Sequence, residues 1–230
     1  MIKYNKRAES LFILEHYSHK NTITKYLGGT MTIGEIAGVR TGLVTARKKK
    51  SATSLHTYKY RLLNLKCIEN DGHINICNVE EYQSSEELKP DYFTHMGDIL
   101  IRLSAPYTAV FINQTALCGI VIPSHFAIIR VDKRLAIPEY IFWSLQRDKN
   151  RITMMQNSSG STTFGTISSG LISSLPITLL PIQNQQIIGN LHQLCEREQE
   201  LLNELEKQKK IYNTLFLNQI YDNMKRGNIK

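Results

Sequence analysis

A short basic segment, residues 36–68, contains eight lysine or arginine residues and no aspartate or glutamate, whereas the rest of the chain holds twenty residues of each sign. This segment therefore carries the whole net charge of +8. Like charges gathered in this way repel one another unless a polyanion neutralises them, and the phosphates of a nucleic acid supply such charge. For the run Arg47–Lys50 alone, a solvated lysine-rich loop remains an alternative.

Two kinds of nucleic-acid contact follow from the residue types. Cations hold phosphates, and the expected ones are Arg47, Lys48, Lys49, Lys50, Lys59 and Arg61. Arginine suits guanine, and hydroxyl groups can bond other base edges, so the candidate base contacts are Arg40, Thr41, Arg102, Ser104, Tyr107, Thr162, Thr163 and Phe164. The last three lie in a Ser/Thr/Gly-rich stretch, residues 157–174, which is either a tether or a contact loop.

Patterns for catalysis are missing from the sequence. It contains no Gly-rich cofactor loop, no Walker-type GK[ST], no methyltransferase Asn/Asp-Pro-Pro-aromatic motif and no HExxH. Residues 87–91 hold scrambled nuclease-like elements, but their order is reversed and surface Glu/Lys clusters are common. The four cysteines form no CxxC pair, so we expect free thiols in a reducing compartment, no metal and no cofactor. Without an apolar span, a soluble cytoplasmic protein that avoids membranes is expected.

The elements that must position these residues are mostly strands. Short runs rich in Ile, Val and Tyr predict strands at 58–65, 73–77, 98–103, 108–113, 118–123 and 126–131. Pro138 can begin a helix that continues to Arg147, with Trp143 as a core residue. Apolar residues at helical spacing predict a helical extension over residues 1–30.

A long helix is predicted from Asn184 to about Asp222, because this stretch has no proline and a single glycine. Its apolar residues recur at heptad spacing, and the seam consists of Ile187, Leu191, Leu194, Leu201, Leu205, Tyr212 and Leu215, with Glu198 and Gln208 at two further seam positions. A helix of this length exceeds what the β-rich domain needs for its own packing. We therefore expect a partner helix, with folding back onto its own domain as the alternative.

The two polar seam positions indicate how two copies would pair. A parallel dimer would bury Glu198 against its own copy, which is unfavourable. An antiparallel dimer with its two-fold axis at Asn203 sets Glu198 against Gln208, and it opposes the apolar pairs Leu191–Leu215, Leu194–Tyr212 and Leu201–Leu205. Acidic residues of the first half then meet basic residues of the second overall, although Arg197 falls opposite Lys209 and Glu200 opposite Glu206.

Six segments, taken in order, resemble one half of the specificity subunit of type I restriction–modification enzymes. They are IGEIAGVRTG (33–42), YRLLNLKCIENDGHI (60–74), GDILIRLSAPYTAV (97–110), PEYIFWSL (138–145), GSTTFGTISSGLI (160–172) and LPITLLPIQNQQIIGNL (175–191). The family usually enters its spacer helix through Pro-Pro-Leu-x-Glu-Gln, whereas this chain reads Leu-Pro-Ile-Gln-Asn-Gln over 180–185.

The resemblance implies an α+β chain with four parts: an N-terminal helical extension (1–30), a β-rich target recognition domain (31–182), a long coiled-coil spacer helix (183–224) and a basic tail (225–230). It implies no catalytic residue. A full-length specificity subunit carries two recognition domains and two helices, and this chain has no internal repeat that could supply the second set. Two copies would therefore be needed.

The expected partners are double-stranded DNA, a second copy in an antiparallel homodimer, methyltransferase (modification) subunits and motor endonuclease subunits. The chain would direct these subunits to a bipartite inverted-repeat target. Two alternatives remain at this point. A stand-alone dimeric DNA-binding regulator would lack methyltransferase partners, and a purely structural coiled-coil adaptor would show no salt-dependent DNA binding.

Overall fold

The computed structural model describes residues 29–49, 57–69, 72–147, 150, 152–154, 156 and 165–227. Nearly all of the predicted extension over 1–30, the last three residues of the chain, and the predicted contacts Lys50, Thr162, Thr163 and Phe164 lie outside the described residues. The chain divides into two compact units, of which the first ends at Gly189 and the second begins at Asn190. The domain boundaries predicted from the sequence stay predictions.

The elements confirm a β-rich domain followed by a long helix. The strands are β1 (Thr30–Thr32), β2 (Ala37–Thr41), β3 (Tyr58–Leu62), β4 (Glu80–Ser84), β5 (Ile99–Arg102), β6 (Ala109–Phe111), β7 (Ile120–Val121), β8 (Phe126–Val131) and β9 (Pro176–Thr178). The α-helices are α1 (Ile33–Ile36), α2 (Pro138–Gln146), α3 (Ser169–Ser174) and α4 (Ile182–Gly227). Single turns of 3-10 helix occur at Thr45–Arg47, Leu65–Cys67, Ile76–Asn78, Pro90–Tyr92 and Thr115–Leu117.

A four-stranded antiparallel sheet in the order β2-β8-β5-β6 lies between two apolar cores. Ile99 and Ile101 of β5 enter one core and Leu100 enters the other, since successive side chains of a strand point to opposite faces. The predicted alternation in this strand is confirmed. Because both faces are covered, the strand is aliphatic from Ile99 to Ile101.

The first core lies against the helices, with Ile33 of α1, Ile141 of α2 and Ile172 of α3 buried in the same cluster as β5. Pro138 is the first residue of α2, as predicted, because its fixed φ suits a helix start and no intrahelical partner is lost there. Trp143 packs, half-buried, against this core, which confirms its structural role.

The smaller sheets complete the domain. The first described strand, β1, pairs antiparallel with β9, so Thr30 lies opposite Thr178. The second small sheet has the order β4-β3-β7, with β3 antiparallel to β4 and parallel to β7.

The prediction of a strand over residues 73–77 is wrong. Ile74 forms one isolated bridge with Ile68, and the chain then turns into the 3-10 helix Ile76–Asn78. The side chain of Asn75 accepts a hydrogen bond from the Cys77 N–H, so a local side-chain contact replaces a strand ladder. The neighbouring strand is β4, which the alternation rule missed because it begins with two glutamates.

Helix α4 contains 46 residues and extends beyond both predicted ends. At about 1.5 Å per residue its length is about 69 Å. All seven apolar seam residues are exposed, with side chains between 49% (Leu205) and 67% (Leu194) accessible. Among the described residues, no helix is long and apolar enough to cross a membrane.

The end of β2 provides a test of the packing. Gly42 follows this strand, and a Cβ atom there would lie 2.3 Å from the Pro123 carbonyl oxygen and 2.4 Å from that of Ile122. Since these are backbone atoms that cannot rotate away, we expect Gly42→Ala to lower the free energy of unfolding by about 1–3 kcal/mol. Chemical denaturation measures the loss. Gly38→Ala is the matched control, because Gly38 lies on β2 and no atom lies within 4 Å of the added methyl group. This variant should not destabilise the protein. Equal losses of stability in the two variants would contradict the steric explanation.

Candidate nucleic-acid interface

Two of the predicted base contacts lie at one end of the four-stranded sheet. Thr41 is opposite Ala127, which is opposite Ile101, and the next residue of β5, Arg102, is opposite Phe126. Thr41 and Arg102 are thus separated by the width of β8. With about 4.8 Å between strands, their backbones are about 10 Å apart, which corresponds to about three base-pair steps of DNA at about 3.4 Å each.

The turn after β5 attaches the Ser/Thr/Gly-rich stretch to this sheet end. Arg102 Nε donates to Ser104 Oγ at 3.0 Å, and Ser104 forms a bridge with Thr166. The Tyr107 hydroxyl donates to the Gly165 carbonyl oxygen at 2.5 Å, and its ring is buried. Gly165 follows the predicted contact Phe164 directly in the sequence.

A further contact joins the same stretch to β2, because the Thr41 and Ser169 hydroxyl oxygens lie 3.4 Å apart. The predicted residues Thr41, Arg102, Ser104 and Tyr107 therefore belong to one place, which we call the sheet-end cluster. It presents the Arg102 guanidinium and the Thr41 and Ser104 hydroxyls, whereas Tyr107 is buried and its hydroxyl is bonded to Gly165. Such groups can donate to and accept from base edges.

The predicted phosphate contacts lie on a different sheet. On β3, Tyr60 and Leu62 pack into a small core, so Lys59 and Arg61 point to the opposite, exposed face. The Arg61 guanidinium donates to the carbonyl oxygens of Ala116 and Cys118, at 3.4 and 2.9 Å. These two hydrogen bonds hold the Arg61 guanidinium against the backbone of the same domain.

Lys48 and Lys49 lie along the other edge of the same sheet. Lys49 forms a bridge with Ser84 of β4, and the Lys48 carbonyl oxygen accepts from the Ser84 hydroxyl at 3.0 Å. Backbone contacts therefore anchor Lys48 and Lys49 at the sheet edge, where the Lys49 side chain is exposed.

The fold neutralises part of the basic segment. Lys59 Nζ lies 3.5 Å from a Glu81 carboxylate oxygen, and Lys48 pairs with Glu86. Arg40 contacts Asp91 twice, through the carboxylate and through the carbonyl oxygen, both at 2.8 Å. These acids come from the segment that follows the basic one, residues 80–91. The segment that is uniformly basic in sequence is thus partly compensated in space.

Asp91 is held as an anion. The hydrogen bond and charge of Arg40 keep the pKa of Asp91 below its usual value, and the charge of Arg130 acts in the same direction. Arg40 is consequently occupied in the free protein, and reading a guanine with it would require release from Asp91. Within the described ranges, no ion pair involves Arg47, Lys49 or Lys66.

An arginine that the sequence did not single out organises the neighbouring loop. Arg130 on β8 donates to Asp98 Oδ1 from Nε at 2.9 Å and to the Phe93 carbonyl oxygen at 2.6 Å. Asp98 is buried, so this charged pair compensates a carboxylate that would otherwise be costly. In the sequence, Asp98 could be noticed only because it follows Gly97 at the start of an aliphatic strand. No local pattern pointed to Arg130.

The described residues hold no group of three or more His, Cys, Asp or Glu side chains that could bind a metal ion. All four cysteines are free, as predicted, and burial raises the pKa of the Cys67 thiol. The chemistry available at the two surfaces is hydrogen bonding and charge.

The sheet-end cluster and the lysine-bearing sheet are the candidate nucleic-acid surfaces of a β-rich domain that precedes a long helix. Residues 30–210 match the family model for the type I restriction modification DNA specificity domain. The chain belongs to this family, which confirms the resemblance of its motifs. The family is a non-catalytic DNA recognition component of restriction–modification systems.

Solved structures agree in fold. The chain is similar to the crystal structure of the HsdS subunit from Thermoanaerobacter tengcongensis, with 17% identity and a TM-score of 0.51 over 75% of this chain and 43% of that chain. The same values hold for a chain from a study of complex assembly and conformational transition of the type I R-M system. The chain thus spans less than half the length of these two matched chains. No match was found among curated proteins.

Lys49, at the edge of the lysine-bearing sheet, provides a test of the phosphate contacts. Lys49→Ala should reduce the slope of log affinity against log salt by about 0.9, because one released counterion is lost with one phosphate contact. Filter binding or fluorescence anisotropy with a double-stranded DNA fragment measures the slope. Lys133, an exposed lysine after β8 at the opposite end of the sheet from Thr41, is the control, and Lys133→Ala should leave the slope unchanged. Equal slopes for Lys49→Ala and the unmodified chain would show that Lys49 is a solvated side chain and not a phosphate contact.

Proposed function

We propose that the chain acts as an antiparallel homodimer that recognises a bipartite inverted-repeat DNA target and directs methyltransferase subunits to it. The proposal rests on one observation above all: an apolar seam, interrupted at Glu198 and Gln208, lies exposed along α4 in the single chain. Exposed apolar surface of this extent favours association, by about 25 cal/mol for each Å² removed from water.

The polar seam positions favour the antiparallel arrangement with its axis at Asn203. Glu198 and Gln208 then meet as a carboxylate and an amide, which can hydrogen-bond, whereas a parallel dimer sets Glu198 against itself. Ion pairs within each helix reduce the repulsion between the like-charged residues that face each other across the two helices. Arg197 lies 2.7 Å from Glu200 and Glu206 lies 2.7 Å from Lys210, so each like-charged pair across the seam contains a residue that is already neutralised.

The dimer would hold its two recognition domains apart. Each domain is continuous with the N-terminal end of its own α4, and antiparallel pairing places these ends at opposite ends of the helical pair. About 43 residues overlap around Asn203, or about 65 Å, which exceeds one turn of DNA at about 34 Å. Two identical domains related by a two-fold axis would read identical half-sites in opposite orientation.

A second apolar stripe on α4 fits a methyltransferase subunit. Leu217, Tyr221 and Met224 are 64–66% exposed and recur at spacings of four and three. At about 100° per residue this stripe lies about 160° around the helix from the seam, so a dimer would leave it uncovered. The study of the type I R-M system that contains a similar chain concerns complex assembly. We assign the stripe to the modification subunit.

A disulfide-crosslinking experiment tests the pairing. Leu194→Cys and Tyr212→Cys variants, prepared separately with Cys77 and Cys195 replaced by serine, should form a disulfide when mixed, because these positions face each other in the antiparallel dimer. Each variant alone should form little, since its two copies would lie about 27 Å apart along the axis. Non-reducing electrophoresis measures the products. Efficient crosslinking of Leu194→Cys with itself would indicate a parallel dimer and would remove the inverted repeat.

The second stripe is tested by Leu217→Glu combined with Met224→Glu. The double variant should remain a dimer and bind DNA but lose co-purification with the cognate modification subunit, because charge is unfavourable in a buried apolar contact. Lys207→Glu is the control, because Lys207 belongs neither to the seam nor to the second stripe. This variant should still co-purify with the modification subunit. A double variant that still co-purifies with the subunit would exclude this surface. If the unmodified chain binds no modification subunit, the stand-alone regulator becomes the better function.

A further inference from the structure

We infer that Gln185 and Gly189 determine which gap between the two half-sites is accepted, because they fix the first turns of α4 on the recognition domain. This inference rests on the proposed dimer. Both residues belong to the first compact unit, together with the domain they contact.

Gln185 is a buried polar side chain with both ends of its amide occupied. It is 2% exposed, although it stands in the second turn of a helix that is otherwise mostly accessible. Its Nε2 donates to the Leu180 carbonyl oxygen at 2.7 Å, and its Oε1 accepts from the Ile137 N–H at 3.0 Å. Ile137 is the N-cap residue of α2. One amide therefore ties the start of α4 both to the segment before it and to the start of α2.

Gly189 supplies a second contact one turn further along the same face of α4. A Cβ atom at this position would lie 2.9 Å from Glu139 Cβ and 3.1 Å from the Tyr140 backbone nitrogen. The two helices approach so closely there that any side chain would push them apart. Glycine costs about 1 kcal/mol in a helix interior relative to alanine, so its presence is explained by this contact and not by helix formation.

Two contacts one turn apart would fix both the position and the direction of these first turns, residues 182–189, whereas one contact would leave them free to pivot. The consequence for the dimer is geometric. Each base pair added to a gap moves the second half-site by about 3.4 Å and rotates it by about 35°. A rigid joint accepts one such displacement, and a loose joint accepts several.

The experiment is a selection from random-sequence double-stranded DNA with the full chain, followed by sequencing of the bound fraction. The unmodified protein should enrich one half-site in inverted orientation at a single gap. Gln185→Met, which keeps the size of the side chain and removes both hydrogen bonds, should enrich the same half-site at several gaps in comparable numbers. Gln183→Met, at an exposed glutamine two residues earlier, is the matched control and should keep the single gap.

Gly189→Ala acts through packing and not through hydrogen bonds, so it provides a second test if Gln185→Met does not fold. This variant should also enrich the half-site at several gap lengths. A single unchanged gap in the folded variants would overturn the inference while leaving the inverted repeat, and with it the proposed function, intact. Failure of the unmodified chain to enrich any inverted repeat would instead overturn the proposed dimer, and the inference with it.

Discussion

The structure depends on a constraint in α4, where a seam of leucines is exposed over most of a 46-residue helix. Hydrophobic burial is the main favourable term in association, and a single helix cannot bury its own stripe. In the proposed dimer a second copy would satisfy this need. Because Glu198 and Gln208 interrupt the seam at positions related by the Asn203 axis, the interface that would provide stability would also select an orientation. The symmetry of the DNA target would then follow from the position of two polar side chains.

The ion pairs of the basic segment bear on specificity. Uncompensated lysines bind any phosphate backbone, and this sequence-independent affinity competes with recognition of a target. Glu81, Glu86 and Asp91 each engage a cation of this segment in the free domain. Exchange of a carboxylate for a phosphate gains less free energy than neutralisation of a bare cation. If these cations contact phosphates as proposed, such compensation would lower the non-specific affinity and leave more of the discrimination to the base contacts.

The sequence predicted features that arise from local pattern and missed those that arise from pairing at a distance. Aliphatic alternation located β5, proline located the start of α2, and heptad spacing located α4. The strand at β4 was missed because its residues are polar and its position is fixed by register with β3. The partners of Arg40 and Lys48 lie 51 and 38 positions away in the chain, so no local window contains them. The candidate site was therefore identified by residue type, while its division between two sheets required the fold.

The pairing of β1 with β9 closes the recognition domain on itself, since Thr30 and Thr178 are neighbours across one ladder. The first and last strands of the described domain therefore lie side by side, directly before α4. A domain whose two ends meet can be cut out of a gene and replaced by another of the same plan without lengthening or redirecting the helix that follows. Such a chain is suited to exchange by recombination, which would change the DNA sequence that is read while the assembly built on α4 stays the same.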